Sequence, residues 1–319
     1  MQGVFADSAA GGGVRVAVID IGTNSTRLLV ADVVDGRVHE VERQTTVTNL
    51  GRGVEHTAAL CTDAVDGVCD VIAAYKARYE ELGAQRVLAI ATSAVRDASN
   101  GDAFIAELRE RFDLDARVLT GEEEAHLTYL GATVQRPDEG PTLVFDIGGG
   151  STELIVGSGS EVDFHVSLQA GTIRHSERHL SSDPPDPHQL EDLASDVRRL
   201  VEAAIASQRD SGGVRAIAVA GTPTSLAAID QQLEPYDPSR VHGHRLALRP
   251  IQHMLSRLAS LPLAERLRVP GLHPGRAPTI VAGAVIMIQV MRAFGLDEVE
   301  VSEHDILHGS ALSAALAPA

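Results

Sequence analysis

The chain has 319 residues, of which 44% are hydrophobic and 22% charged, the balance of a globular protein of two ordinary domains. Its formal net charge of −17 argues against nucleic acid and anionic membrane as partners. With 3% aromatic residues and no Trp, its cores must be built from Ala, Val, Leu and Ile.

Residues 1–13 are small and Gly-rich, with no Lys or Arg and no long apolar run, and are expected to form a loose arm rather than a signal peptide. Residues 14–20 are a β-rich run ending in an acid, Asp20, followed by a turn of Gly22, Thr23, Asn24 and Ser25. Residues 27–34 and 37–41 read as the next strands, joined at Asp35-Gly36, a hairpin signal. Thr62 can cap a helix whose apolar face is Val65, Val68, Ile72, Tyr75, Tyr79 and Leu82. Cys61 and Cys69 fall in this pattern and are expected to be reduced, in a cytoplasmic protein. A strand over 86–91, a helix over 99–111, a short strand over 116–119 and a helix from 122 follow.

The pattern then restarts. Residues 142–146 form a strand ending in Asp146, Gly148, Gly149, Gly150, Ser151 and Thr152 a turn, and 153–157 a returning strand. Leu190, Leu193, Val197, Leu200, Val201 and Ala204 share a helical face. Residues 216–220 read as a strand, 221–224 as a turn, 250–261 and 279–294 as helices, and 299–302 as a last strand. The apolar stretch 280–291 is too short to span a bilayer and reads as a buried helix. A strand ending in Asp-Ile-Gly before a Gly, Ser or Thr turn thus occurs twice. Such self-similarity predicts two related lobes, 14–135 and 136–319, with the break in the turn-rich segment 136–141.

Turns of this composition present backbone N–H groups and hydroxyls to an anion, and Gly lets the backbone come close. Asp20 and Asp146 stand where they can hold a divalent metal. Either turn alone is compatible with a plain hairpin; the repetition, with an acid before each, points to a facing pair that clamps phosphate. An acidic chain would need a metal cation and a locally basic cleft to receive a polyanion. Arg96 follows a strand and suits bidentate contact with a phosphate, although most arginines are simply exposed. Glu153 would be a charge in a buried strand and needs a partner such as a metal-bound water. Glu122, Glu123 and Glu124 are, by themselves, better explained as solvated acids favoured in the first turn of a helix than as a catalytic base. His242 and His244 are a weak metal signal, and Glu303, His304, Asp305 and His308 read as a domain-interface or surface group rather than a zinc site.

The segments Asp20-Ile21-Gly22-Thr23-Asn24-Ser25-Thr26-Arg27 and Asp146-Ile147-Gly148-Gly149-Gly150-Ser151-Thr152-Glu153 closely resemble the two phosphate motifs of the exopolyphosphatase/guanosine pentaphosphate phosphohydrolase (Ppx/GppA) family. Residues 91–98, 121–125, 220–222, 274–277 and 301–303 continue the likeness. The resemblance implies an α/β, two-lobed actin/sugar-kinase-like (ribonuclease H-like) fold with duplicated domains and an active-site cleft between them. It implies a metal-dependent exopolyphosphatase, with guanosine pentaphosphate as the alternative substrate and a non-catalytic sensor as the alternative of another class. It places the catalytic base on Glu124, the acid directly before Ala125, and the phosphate ligands on Gly22, Thr23, Asn24, Ser25, Arg96, Gly148, Gly149, Gly150, Ser151 and Thr152. It places Mg²⁺ or Mn²⁺ on Asp146, Glu153 and Asp20, and makes a homodimer reasonable. Segment 221–224 resembles the nucleoside-side loop of the fold and is expected to be a structural vestige. The longer family members carry further helical domains that this chain lacks, so short polyphosphate is the expected substrate.

Overall fold

Strand β1 (Val14–Ile21) is apolar on both faces, and β2 (Ser25–Val34) and β3 (Arg37–Val47) follow it as an antiparallel meander. Helices α1 (Val54–Thr57) and α2 (Thr62–Glu81) lead to β4 (Arg86–Ala91), which pairs with β1 in parallel. Helices α3 (Ser93–Asp97) and α4 (Gly101–Phe112) lead to β5 (Ala116–Val118), parallel to β4, so the sheet order is β3-β2-β1-β4-β5. A capping box of Thr120 and Glu123 opens α5 (Gly121–Thr133).

The same topology then recurs. The meander is β6 (Thr142–Ile147), β7 (Thr152–Ser158) and β8 (Glu161–Leu168). Helices α6 (Thr172–His179) and α7 (Pro187–Ala204) lead to β9 (Arg215–Val219), parallel to β6. Then come α8 (Gly221–Asp230), α9 (Pro238–Val241), β10 (Arg245–Ala247), α10 (Leu248–Ser260), α11 (Leu263–Arg266), α12 (Ile280–Ala293), β11 (Glu298–Val301) and α13 (Ile306–Leu316). The second sheet runs β10-β11-β9-β6-β7-β8, the first order again with β10 added at the edge. This is a computed structural model describing residues 13–137, 140–206 and 214–316; nearly all of the arm expected over 1–13, and part of the turn expected over 136–141, lie outside the described residues.

Each central strand is covered on both sides, which is why it reads as a nearly continuous apolar run. In the first lobe Ala17, Ile19, Leu28 and Val30 pack against α2 and α4 through Val68, Ile72, Phe104 and Leu108. The opposite face, Val16, Val18, Leu29 and Ala31, is covered by Leu307, Ala311 and Leu312 of α13. In the second lobe α7, α8, α10 and α12 cover one face, and Ala125, Tyr129 and Ala132 of α5 cover the other, at Val144, Ile155 and Ile217. The helix that ends the first lobe therefore lies under the second sheet, and the last helix of the chain lies under the first. Between the sheets α5 and α13 cross at Gly131 and Gly309: a methyl built on Gly131 would overlap the Asp305 carbonyl, and one on Gly309 the Leu127 carbonyl.

Several local expectations need correction. Residues 221–224 are the first turn of α8 rather than a free turn, and Pro223 is tolerated because first-turn N–H groups have no helical partner. Cys61, not Thr62, is the N-cap of α2. Strand β8 alternates Val162, Phe164 and Val166 between polar residues and was legible by that period, yet only the structure brings it out. Helix α12 is buried along residues 280–291, as its all-round apolarity predicts.

Candidate active site

The two Asp-Ile-Gly turns close with the same backbone bond. Gly22 N–H donates to the Ser25 carbonyl and Gly148 N–H to the Ser151 carbonyl, both at 3.0 Å. They meet across the interlobe cleft, where a methyl on Gly149 would lie 2.9 Å from Thr23 Cγ2 and 3.2 Å from the Asn24 nitrogen. Only a residue without Cβ allows that approach. Thr23 Oγ1 lies 2.9 Å from Ser93 Oγ at the start of α3, which ties the first turn to the next crossover.

The cross-strand partner is where the two lobes differ. Asp20 faces Arg27, whereas at the equivalent place Asp146 faces Glu153. Arg27 donates to Asp20 Oδ2 at 2.6 and 2.8 Å and also pairs with Asp305, at the start of α13. The first lobe thus balances its acid internally. The second lobe sets two acids side by side, and Glu124 and Asp20 line the same cleft. Burial, followed by the negative charge of Asp305, pushes the Asp146 carboxyl up to about 8. Burial, then Glu124 and Asp146, raises Glu153 well above the carboxylate range, although Ser167 Oγ donates to it at 2.9 Å. The buried Asp20 Oδ1 accepts no hydrogen bond. Carboxylates destabilised by one another, with an orphaned oxygen turned among them, fit a divalent cation with oxygen ligands.

Glu124 lies in the first turn of α5 and is 8% exposed. Burial raises its carboxyl above the usual range, and Arg96 opposes that shift by donating to Oε2 at 2.9 Å. The same guanidinium donates to the Leu119 carbonyl at 2.8 Å. Through Nη1 Arg96 therefore grips the candidate base, a contact additional to the phosphate contact expected of it, and its Nε and Nη2 make no bond to a described residue. Thr152 is also directed elsewhere: its hydroxyl donates to the Ala170 carbonyl at 2.5 Å. Gly150 packs against Ser93 and Thr23 outside the cavity wall. Gly22, Thr23, Asn24, Ser25, Gly148, Gly149 and Ser151 line the cleft together with Asp20, Glu124, Asp146 and Glu153.

Arg276, given no role on the residues alone, projects into the cleft over Gly221, where any Cβ would collide with its guanidinium. It forms no ion pair with a described residue, which leaves a cation for an anionic ligand; in the sequence only the family likeness of 274–277 marked its segment. Asp305 was expected in an interface or surface group and is buried at the lobe junction, paired with Arg27. Next to the phosphate cleft, and sharing Arg27, Ala220, Gly221 and Arg276 with it, is a cavity of about 470 Å³ walled by Leu233, Tyr236, Val269 and Leu272.

The acid cluster has a consequence for stability. Asp146 titrates near 8 in the folded state and near 3.9 when unfolded, so the folded chain holds the extra proton between those values. The resulting stabilisation is complete below about pH 4 and lost as pH rises through 8. Buried neutral histidines, with His175 and His304 pushed down to about 4, act with the opposite sign below about pH 6.5. In chelator, urea melts between pH 7 and 9 should therefore show stability falling, by at most about 1.4 kcal/mol per pH unit for each group. Added Mg²⁺ or the substitution Asp146→Asn should flatten the slope; a slope that neither alters would rule out this cluster as its source.

Comparison with known proteins bears on the whole chain. The Ppx/GppA phosphatase family model matches residues 29–317. Exopolyphosphatase 2 of Mycobacterium tuberculosis is 36% identical over 315 residues, covering 94% of this chain and 98% of that protein. The crystal structure of an Aquifex aeolicus member of the Ppx/GppA family superposes with a TM-score of 0.79 at 31% identity, covering 94% of this chain and 97% of that one. An exopolyphosphatase from Cytophaga hutchinsonii superposes with a TM-score of 0.85 at 26% identity, over 94% and 98% of the two chains. The likeness runs through both lobes and the cleft between them, and this chain belongs to the Ppx/GppA phosphatase family.

Proposed function

We propose that this phosphatase removes the terminal phosphate of inorganic polyphosphate, with Glu124 as general base. The observation that carries this is the buried Glu124, held by Arg96 from behind, on the wall of a cleft formed by the two facing Gly, Ser and Thr turns. A water held between Glu124 and the terminal phosphorus gives up a proton to the carboxylate as its oxygen forms the new P–O bond. The bridging P–O bond breaks on the opposite side, releasing orthophosphate and a chain one unit shorter. The raised proton affinity of Glu124 makes it a stronger base, while Arg96 opposes its protonation and fixes its direction. Thr23, Asn24, Gly149 and Ser151 offer backbone and hydroxyl donors to the phosphates from turns that Gly22 and Gly148 close, and Arg276 adds charge further along the cleft. Asp146, Glu153 and the free oxygen of Asp20 would hold Mg²⁺ or Mn²⁺, which when bound offsets the charge of the acids and of the substrate. Among the described residues no helix is long and apolar enough to cross a membrane. The free Cys61 and Cys69 support a reducing, cytoplasmic setting.

The cavity beside the cleft favours a second reading, guanosine pentaphosphate. Its apolar wall and Tyr236 could receive a nucleoside while the phosphates reach the turns past Arg276. Phosphate release with Mg²⁺ should be measured side by side from short polyphosphate, long polyphosphate, guanosine pentaphosphate and ATP, with Glu124→Gln as the blank. Faster Glu124-dependent release from short polyphosphate is the expected result. A preference for guanosine pentaphosphate that Tyr236→Ala abolishes would transfer the assignment to the second substrate. Binding without release from any of them would point to a sensor.

A further inference from the structure

Away from the cleft, α6 and α7 bring two histidines and an aspartate together. His175 and His179 stand one turn apart on α6, which puts them on one face of the helix. Asp196 of α7 sets its Oδ2 3.5 Å from His175 Nε2 and 3.2 Å from His179 Nε2. Around a tetrahedral zinc ion with bonds of about 2.0–2.2 Å, ligand atoms lie roughly 3.3–3.5 Å apart. The three side chains already hold two such edges.

His175 is fully buried, and neither of its ring nitrogens has a hydrogen-bond partner. Burial pushes it down to about 4, so at neutral pH it presents an unprotonated nitrogen. The Asp196 carboxyl, despite its burial, is held below its usual range by Arg199 and His179. Arg199 donates to Oδ1 at 2.6 Å, which orients the carboxylate and leaves Oδ2 on the histidine side. Two further cations face the group: Arg178 Nη1 donates to Oδ2 at 3.4 Å while its Nη2 pairs with Glu55, and Arg174 is paired with Glu55 and Asp97.

We propose that His175 Nε2, His179 Nε2 and Asp196 Oδ2 form a binding site for a zinc-class transition metal that joins α6 to α7. Two imidazoles and one carboxylate select such an ion over Mg²⁺, which prefers oxygen, so the site is chemically distinct from the acids of the cleft. The half-buried His179 and Asp196 leave the fourth position to water. The first turn of α6 is bonded to the second phosphate turn: Thr172 N–H donates to the Gly148 carbonyl and Ile173 N–H to the Gly149 carbonyl, both at 2.9 Å. Arg174 Nε donates to the Gly150 carbonyl at 2.8 Å, and the same guanidinium reaches Glu55 and Asp97 of the other lobe. A metal in this position braces the phosphate turn and the lobe contact from behind without touching substrate.

The full chain, freed of metal by chelator and dialysed, should be titrated with Co²⁺ and followed by visible absorption and metal analysis. One equivalent should give the intense bands of a low-coordinate site, be displaced by Zn²⁺ and not by Mg²⁺, and raise Tm. His179→Gln and Asp196→Asn, at the more exposed ligands, should each weaken binding about tenfold or more, whereas Glu153→Gln in the cleft should leave the bands intact. If these variants unfold, the wild-type spectrum and stoichiometry decide alone. Absence of a bound ion in the wild type, bands that survive both ligand variants, or bands lost only with Glu153→Gln would overturn the proposal.

Discussion

Replacing Glu124 by Gln is expected to lower kcat by about 10²–10⁴-fold, the usual contribution of a general base, and to leave substrate affinity almost unchanged. Gln has the same shape and can still accept the Arg96 hydrogen bond through its amide oxygen, so the fold should be retained. What it loses is the ability to take a proton from water. Steady-state phosphate release, with binding measured by calorimetry on the inactive variant, checks both halves. Turnover close to wild type would remove Glu124 from the mechanism. Arg96 gives an independent test of the same geometry. As a positioning residue, its replacement by Met should lower kcat, leave KM near its original value and shift the acid limb of the pH profile, because the buried carboxyl would lose the cation that opposes its protonation. A rise in KM with kcat intact would restore it as a phosphate ligand.

Gly309→Ala should be among the most damaging changes of a single methyl group, costing about 3 kcal/mol. In a protein of this size that corresponds to a Tm loss of roughly 4–5 °C. The added methyl would meet the Leu127 carbonyl of α5, and backbone cannot move aside as a flexible side-chain end can. Since α13 covers the first sheet and α5 the second, separating them disturbs both lobes and shifts Glu124, which also sits on α5. Gly67→Ala is the contrasting case. Gly67 lies within α2 with open space around the missing Cβ, and Ala there should stabilise by about 0.5–1 kcal/mol. Thermal melts of the two variants beside wild type suffice. Equal Tm values would show that the α5–α13 crossing carries no special constraint.

Much of the cleft was readable from the chain because its parts are local. A strand that ends in an acid and turns on Gly, Ser and Thr within a few residues has little choice of backbone, and its repetition at Asp20 and Asp146 announced two equivalent lobes. The apolar stretch 280–291 declared itself buried for a related reason, since no amphipathic period offers a solvent face. Composition and charge bounded the partners without any structure. Contacts between segments far apart in the chain were another matter. Arg27 faces Asp20 across a local hairpin, but nothing local shows that it also reaches Asp305, 278 positions away. Arg96 and Thr152 carry the right chemistry for phosphate, but that Arg96 Nη1 also holds Glu124 and that the Thr152 hydroxyl turns to the Ala170 carbonyl are matters of packing. The exchange of α5 and α13 between the sheets, the exposure of Arg276 over Gly221 and the meeting of His175, His179 and Asp196 each depend on where whole helices come to rest. Residue type and local period determined which groups could do chemistry; long-range burial decided which of them remain free to do it.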